Sequence, residues 1–102
     1  MINEVILVGK IKGISEKKEN KQELLLEVER PFKETEGRVS DIFRCQLWYS
    51  IFHKVISICS DGDLLAIKGR IVSDDNAQYL IMAENVVMLN KCKDNVQKNN
   101  KI

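Results

Sequence analysis

The stretch DIFRCQLW, Asp41 to Trp48, alternates in hydropathy. Phe43, Cys45 and Leu47 share one parity; Ile42, Arg44, Gln46 and Trp48 share the other. Successive side chains of a strand point to opposite faces, so the stretch reads as a half-buried strand with Phe43, Cys45 and Leu47 towards a core. Trp48, the single tryptophan of the chain, falls beside an arginine and a glutamine on the outward, mostly polar face. A flat ring next to guanidinium on an open sheet face is an arrangement on which proteins stack unpaired nucleic-acid bases. Packing in a subunit interface, or under a loop, is the other reading of the same placement, because tryptophan is highly buried on average.

The segments before this strand repeat the β signal. EVILVGKIKGI (Glu4 to Ile14) is rich in β-branched residues and punctuated by Gly9 and Gly13, which suggest a bulge or tight bend of the kind barrel corners require. SEKKENKQ (Ser15 to Gln22) reads as a charged turn. In ELLLEVE (Glu23 to Glu29), Leu24, Leu26 and Val28 share one face, and Leu25, Glu27 and Glu29 the other. Pro31 ends regular pairing, and FKETEGRVS (Phe32 to Ser40) reads as a polar loop tipped by Gly37.

After Trp48 the period changes. Ser50 is a plausible helix N-cap, and Ile51, Phe52, Val55, Ile56 and Cys59 recur at helical spacing up to a stop at Gly62. DLLAIKGRIV (Asp63 to Val72) is a fourth strand, SDDNAQ (Ser73 to Gln78) a turn, and YLIMAENVVML (Tyr79 to Leu89) the last strand. Three strands, a helix and two more strands give an all-β reading: an OB-fold, a five-stranded Greek-key barrel with one helix between strands 3 and 4. Other β-plus-helix folds of this size fit the pattern as well.

At 102 residues, 44% of them hydrophobic and 30% charged, the chain describes one globular domain with one modest core. No apolar run approaches the ~20 residues that span a bilayer, and the start carries no signal-peptide pattern. The expectation is a cytoplasmic protein with no membrane partner. Cys45, Cys59 and Cys92 are far apart, without a CxxC pair, and His53 is the single histidine. Neither a zinc site nor a disulfide framework is built from these, and Cys45 and Cys59 read as small core residues. With no phosphate loop, no nucleophile beside a base and no metal-like carboxylate spacing, neither an enzyme nor a cofactor is expected.

Net charge is +1, but its distribution is uneven. Residues 1–89 hold 12 Lys/Arg and 14 Asp/Glu, a net of −2, and residues 90–102 hold four Lys against one Asp, a net of +3. The expected organisation is an OB-fold domain over 1–89 followed by a basic, disordered tail over 90–102. A slightly acidic body must attract phosphates through local clustering, so binding would be modest and strongly salt-dependent.

Several segments together resemble the bacterial single-stranded DNA-binding proteins, SSB. EVILVGKI resembles their opening strand, VERPFK (Val28 to Lys33) the end of their second strand, and DIFRCQLW their third. IKGRI (Ile67 to Ile71) is similar to the following strand and AENVVML (Ala83 to Leu89) to the closing segment. The resemblance implies sequence-tolerant binding of single-stranded DNA in replication, recombination or repair, with Trp48 and Phe32 at base-stacking positions. Arg44, Arg30, Lys33, Lys68 and Arg70 would steer phosphates, and Gln46 shares the face of Trp48. It also implies a homo-oligomer, dimer or tetramer.

Departures from the family pattern temper this. Ile42 stands where the family often has an aromatic, and Ser73 to Gln78 is short and lacks the aromatic of a longer hairpin. The acidic tip that recruits other replication proteins is replaced by NKCKDNVQKNNKI. In lacking it the chain is similar to a compact relative, primosomal replication protein B. Bland readings stand beside the functional ones: Phe32 as a cap on the barrel, Arg30 and Lys33 as a solvated loop, Lys68 and Arg70 as the wet side of a strand. Glu27 and Glu29, outward on strand two, would repel phosphate unless paired with Arg44 or another base across the ladder. The rival class is therefore an OB-fold protein-interaction subunit of a replication or primosome complex, with weak or no DNA binding.

Overall fold

The computed structural model describes residues 1–18, 21–31 and 39–90. They form β1 (Val5–Lys18), β2 (Lys21–Glu29), β3 (Ser40–Trp48), α1 (Tyr49–Ile58), β4 (Leu64–Ser73) and β5 (Tyr79–Asn90). The strands close into a barrel in the order β1-β2-β3-β5-β4, with α1 between β3 and β4 as the sequence leads one to expect. Neighbours are antiparallel except β3 and β5, which run parallel through Cys45–Ile81 and Gln46–Met82.

Closure makes β1 serve two partners. Val5 to Lys10 pairs with β4, and the pairing with β2 starts at Lys10. At that hand-over the backbones crowd, and a Cβ on Gly9 would collide with the carbonyl oxygen of Glu27. Gly69 is in the same position on β4, where a Cβ would strike the carbonyl oxygen of Met82 beside a register shift. Both positions need the smallest residue because another backbone passes through the space a side chain would fill.

The alternation of each strand decides what lies inside. Leu24, Leu26, Cys45, Leu47, Leu65 and Ile67 are fully buried, and α1 adds Phe52 and Val55 to the same core. Each such leucine or isoleucine contributes about 1.5–3 kcal/mol by leaving water. Cys45 is a core residue, as expected, and burial pushes its thiol up to about 12, which keeps it protonated and unreactive. Cys59 packs partly buried against this core. Cys92 and the tail from residue 91 onward, like the Gly37 loop tip, lie outside the described residues.

Three local expectations are corrected. The charged stretch from Ser15 is not all turn: β1 continues to Lys18, and Lys17–Gln22 and Lys18–Lys21 pair across a long hairpin. Backbone hydrogen bonds build a ladder whatever the side chains, so a polar composition hides it. Ser50 is not the N-cap. Trp48 holds that position with extended torsions (φ −62°, ψ 146°) and no side-chain cap, so α1 begins where β3 stops pairing with β2 at Trp48–Lys21.

The helix also stops at Ile58, before Gly62. Gly62, at φ 96°, shapes the turn into β4 instead. Its N–H donates to the carbonyl of Ile11 at 2.9 Å, and the N–H of Ile11 donates to the carbonyl of Asp63 at 3.0 Å. The fully buried Asp63 carboxylate accepts the N–H of Ser60 at 3.0 Å, so this corner is fastened to β1.

Candidate nucleic-acid interface

The outward parity of β3 carries Ile42, Arg44, Gln46 and Trp48 as a single row. Trp48 is 47% exposed while its neighbour Leu47 is fully buried. The ring therefore stands on the outside of the barrel, at the end of β3 next to α1. Gln46, half-buried, is paired with Glu23 on one side and Met82 on the other, and Met82 is paired with Arg70. Glu23, Gln46, Met82 and Arg70 thus form one transverse row across β2, β3, β5 and β4.

Arg44 sits between two carboxylates. Its Nε and Nη2 donate to Glu23 at 3.2 and 2.7 Å, and its Nη1 donates to Asp74 at 3.4 Å. The fork of donors and the planar carboxylate match in shape, which makes such bidentate pairs the stronger kind. The hydrogen bond to Glu23 leads in holding the guanidinium pKa above its ordinary value. Pairing of Arg44 across the ladder is expected from sequence, but the partner is Glu23 rather than Glu27 or Glu29. Arg44 faces Leu25, so Glu23 and Glu27 are both its diagonal neighbours; Glu27 accepts the hydroxyl of Ser40 at 2.8 Å, and Glu23 is the one that holds the guanidinium. Glu27 and Glu29 line a separate hollow with Lys10, Val39 and Ser40.

Three other candidate cations among the described residues follow the same rule. Arg30 makes two 2.8 Å hydrogen bonds to Asp41, Lys68 reaches Glu4 at 3.1 Å, and Arg70 pairs with Glu84. Lys68 is also elsewhere: its cross-strand partners are Ile6 of β1 and Asn85 of β5, on the far side of the barrel from β2 and β3. The structure thus gathers Trp48, Gln46 and Arg44 on one face, with Arg70 two strands away, and does not bring Lys68 to it. Phe32 and Lys33 lie outside the described residues.

Sequence reading misses Tyr79. It is the first residue of β5, directly after the turn judged to lack an aromatic, and it is 77% exposed. With Ile42, Arg44 and Ile71 it borders a groove of about 180 Å³ floored by Leu80 and Ile81. The turn leading to it is held by Asp74, whose carboxylate accepts the N–H groups of Asn76 and Gln78 at 2.9 Å each. Those bonds, the one from Gln78 foremost, hold the Asp74 carboxyl below its ordinary pKa. The available signal was position: an aromatic opening a strand lies at a barrel end, where inward parity no longer means burial.

Among the described residues no group of three or more His, Cys, Asp or Glu could hold a metal ion. No helix among them is long and apolar enough to cross a membrane.

No protein-family model matches the chain, and no curated protein matches it. Solved structures do. The dimeric structure of the N-terminal domain of PriB from Thermoanaerobacter tencongensis superposes with a TM-score of 0.68 at 18% identity, covering 87% of this chain and 98% of that one. A mitochondrial single-stranded DNA-binding protein of S. cerevisiae gives 0.69 at 11% identity, covering 90% and 100%. An OBody bound to hen egg-white lysozyme gives 0.62 at 20% identity, covering 87% and 80%. Identities this low speak for architecture alone: the chain has the OB-fold that these structures share.

Proposed function

We propose that this chain binds single-stranded DNA with little regard to sequence, stacking bases on Trp48, in replication, recombination or repair. The observation that carries the reading is the large ring held outward at mid-exposure on β3 while its inward neighbours are sealed in the core. A ring on a rigid strand offers a π-face to any base, which is why such platforms tolerate sequence. The likeness to single-stranded DNA-binding proteins supports the same reading. Gln46 would hydrogen-bond the strand passing Trp48. Phe32 and Lys33 keep their expected roles as a stacking ring and a phosphate contact, and Arg30, Arg44 and Arg70 would meet phosphates only by exchanging a carboxylate partner. Lys68 would contribute through the overall field.

This exchange sets the character of the binding. Four independent phosphate contacts would give log affinity a slope of about −3 against log salt on a single strand. Here Arg30, Arg44, Lys68 and Arg70 are each matched to a carboxylate, so fewer counterions are released and the slope should be shallower. The protein acts by binding, without catalysis. Anisotropy of labelled oligo-dT, measured with wild type and Trp48→Ala over a salt series, tests the reading. Binding lost or greatly weakened in the variant supports it; equal binding by both proteins contradicts it.

The chain would work as a homo-oligomer. Ile6 and Val8 of β1 and Val87 and Leu89 of β5 are exposed, and Val8, Ala66 of β4 and Val87 form one cross-strand row. Apolar sheet faces of this kind mark association surfaces. The same face favours the second reading, an interaction subunit of a replication or primosome complex with weak DNA binding. Compensated cations on the Trp48 face also suit it.

A further inference from the structure

We propose that the groove beside Tyr79 is a further base-binding position, taking one nucleobase from the strand that passes Trp48. This inference rests on the single-stranded DNA reading and adds a site to it.

The groove lies at the end of the barrel away from α1, where β3 begins, β4 ends and β5 begins. Its walls are the exposed side chains of Ile42, Ile71 and Tyr79, and its floor is Leu80 and Ile81. Pockets for whole drug-sized ligands run from about 300 Å³ upward, so 180 Å³ suits a single flat ring system. A phenol ring on one wall and aliphatic side chains on the others give that ring a stacking face and a dry contact. Arg44 stands at the rim, already matched to Glu23 and Asp74. A compensated cation is a poor phosphate trap, but its planar guanidinium still offers a stacking surface to a base.

Position selects the occupant. Ile42 and Arg44 belong to the same outward row as Gln46 and Trp48, and about 20 Å of extended strand separates Ile42 from Trp48. A single strand laid along β3 from Trp48 therefore arrives at this groove after a few nucleotides. The geometry is also held fast. Asp74 ties the β4–β5 turn through Asn76 and Gln78, and the side-chain amide of Asn3 both accepts the N–H of Ile71 at 3.0 Å and donates to its carbonyl at 2.8 Å. The Tyr79 wall is thereby fixed before any ligand arrives, which lowers the ordering cost of binding.

The test uses the full chain, oligo-dT bearing 5-iodo-deoxyuracil, and the variants Tyr79→Ala and Tyr79→Phe. Photo-crosslinking followed by peptide mapping should mark Tyr79 as well as Trp48. Affinity should fall about 5-fold or more in Tyr79→Ala and stay within about twofold in Tyr79→Phe, while Trp48 quenching at saturation persists in both. A crosslink at Trp48 without one at Tyr79, together with unchanged affinity in Tyr79→Ala, overturns the Tyr79 position alone. Wild-type protein that leaves the oligonucleotide free overturns the underlying reading and this site with it. A Tyr79→Ala effect on oligomer mass without one on DNA affinity assigns the groove to a second copy of the chain and likewise overturns the proposal.

Discussion

The barrel has two outer faces made by the same strand alternation, and they differ in kind. Along β3 the outward row is Ile42, Arg44, Gln46 and Trp48, a mostly polar row ending in one aromatic, with its cation paired to Glu23 and Asp74. Across β1, β4 and β5 the outward side includes the exposed aliphatic side chains Ile6, Val8, Val87 and Leu89 beside the Lys68–Glu4 ion pair. One face offers a flat ring and hydrogen-bonding groups; the other offers bulk that water disfavours. The contrast teaches that a closed barrel can assign separate partners to separate arcs of its surface, because register fixes which side chains meet on each arc.

The harshest way to break the comparison is to remove the frame that both faces share. Gly69→Ala should destabilise the fold by about 1–3 kcal/mol or more, since the new methyl meets a backbone carbonyl that cannot move aside as a side chain would. Chemical denaturation should show this as a lower midpoint. Trp48→Ala strikes one face only: DNA affinity should drop by about 1–3 kcal/mol of stacking with oligomer mass unchanged in light scattering. Val8→Glu strikes the other, placing a charge in the row Val8, Ala66, Val87. It should dissociate the oligomer in light scattering while each chain keeps its tryptophan response to DNA.

A subtler change sharpens the account of the compensated track. Glu23→Gln removes the anion nearest Arg44, so affinity for oligo-dT should rise a few-fold at low salt and the log–log salt slope should steepen by about 0.7, the value for one additional phosphate contact on a single strand. The smallest effect concerns acid. The Asp74 carboxyl is held below its ordinary pKa, mainly by the N–H of Gln78, so its contribution is present above the ordinary carboxylate range and is lost as pH falls through its folded value. Hydrogen-exchange protection in the β4–β5 turn, taken relative to the intrinsic rate at each pH, should therefore fall in strong acid, and Asp74→Asn should show lower protection already at neutral pH.

Sequence reading reaches the architecture because the signals there are periodic. Phe43, Cys45 and Leu47 alternate with a polar row, and Phe52 and Val55 recur at helical spacing, so both the strand and the helix announce their buried sides. Gly9 and Gly69 are visible as bends, although the carbonyls of Glu27 and Met82 that demand them come from other strands. Trp48 is readable as outward for the same reason of parity. What sequence cannot supply is diagonal reach. Glu23 and Glu27 both lie diagonal to Arg44, and only the structure shows that Ser40 engages Glu27 while Glu23 holds the guanidinium. Tyr79 shares the parity of the buried Ile81 and Ala83, and only the end of the barrel leaves it exposed. The charged stretch through Lys18 reads as turn because its sequence carries no hydrophobic period, although its backbone pairs with β2.

The central claim is that Trp48 is a base-stacking platform, and its own fluorescence tests this most directly because no other tryptophan contributes. Titration of the full chain with oligo-dT at low salt should quench the emission strongly and saturably, and much of the quenching should survive moderate salt. Emission that stays unchanged while the DNA is demonstrably bound would place the strand elsewhere on the barrel and contradict the account.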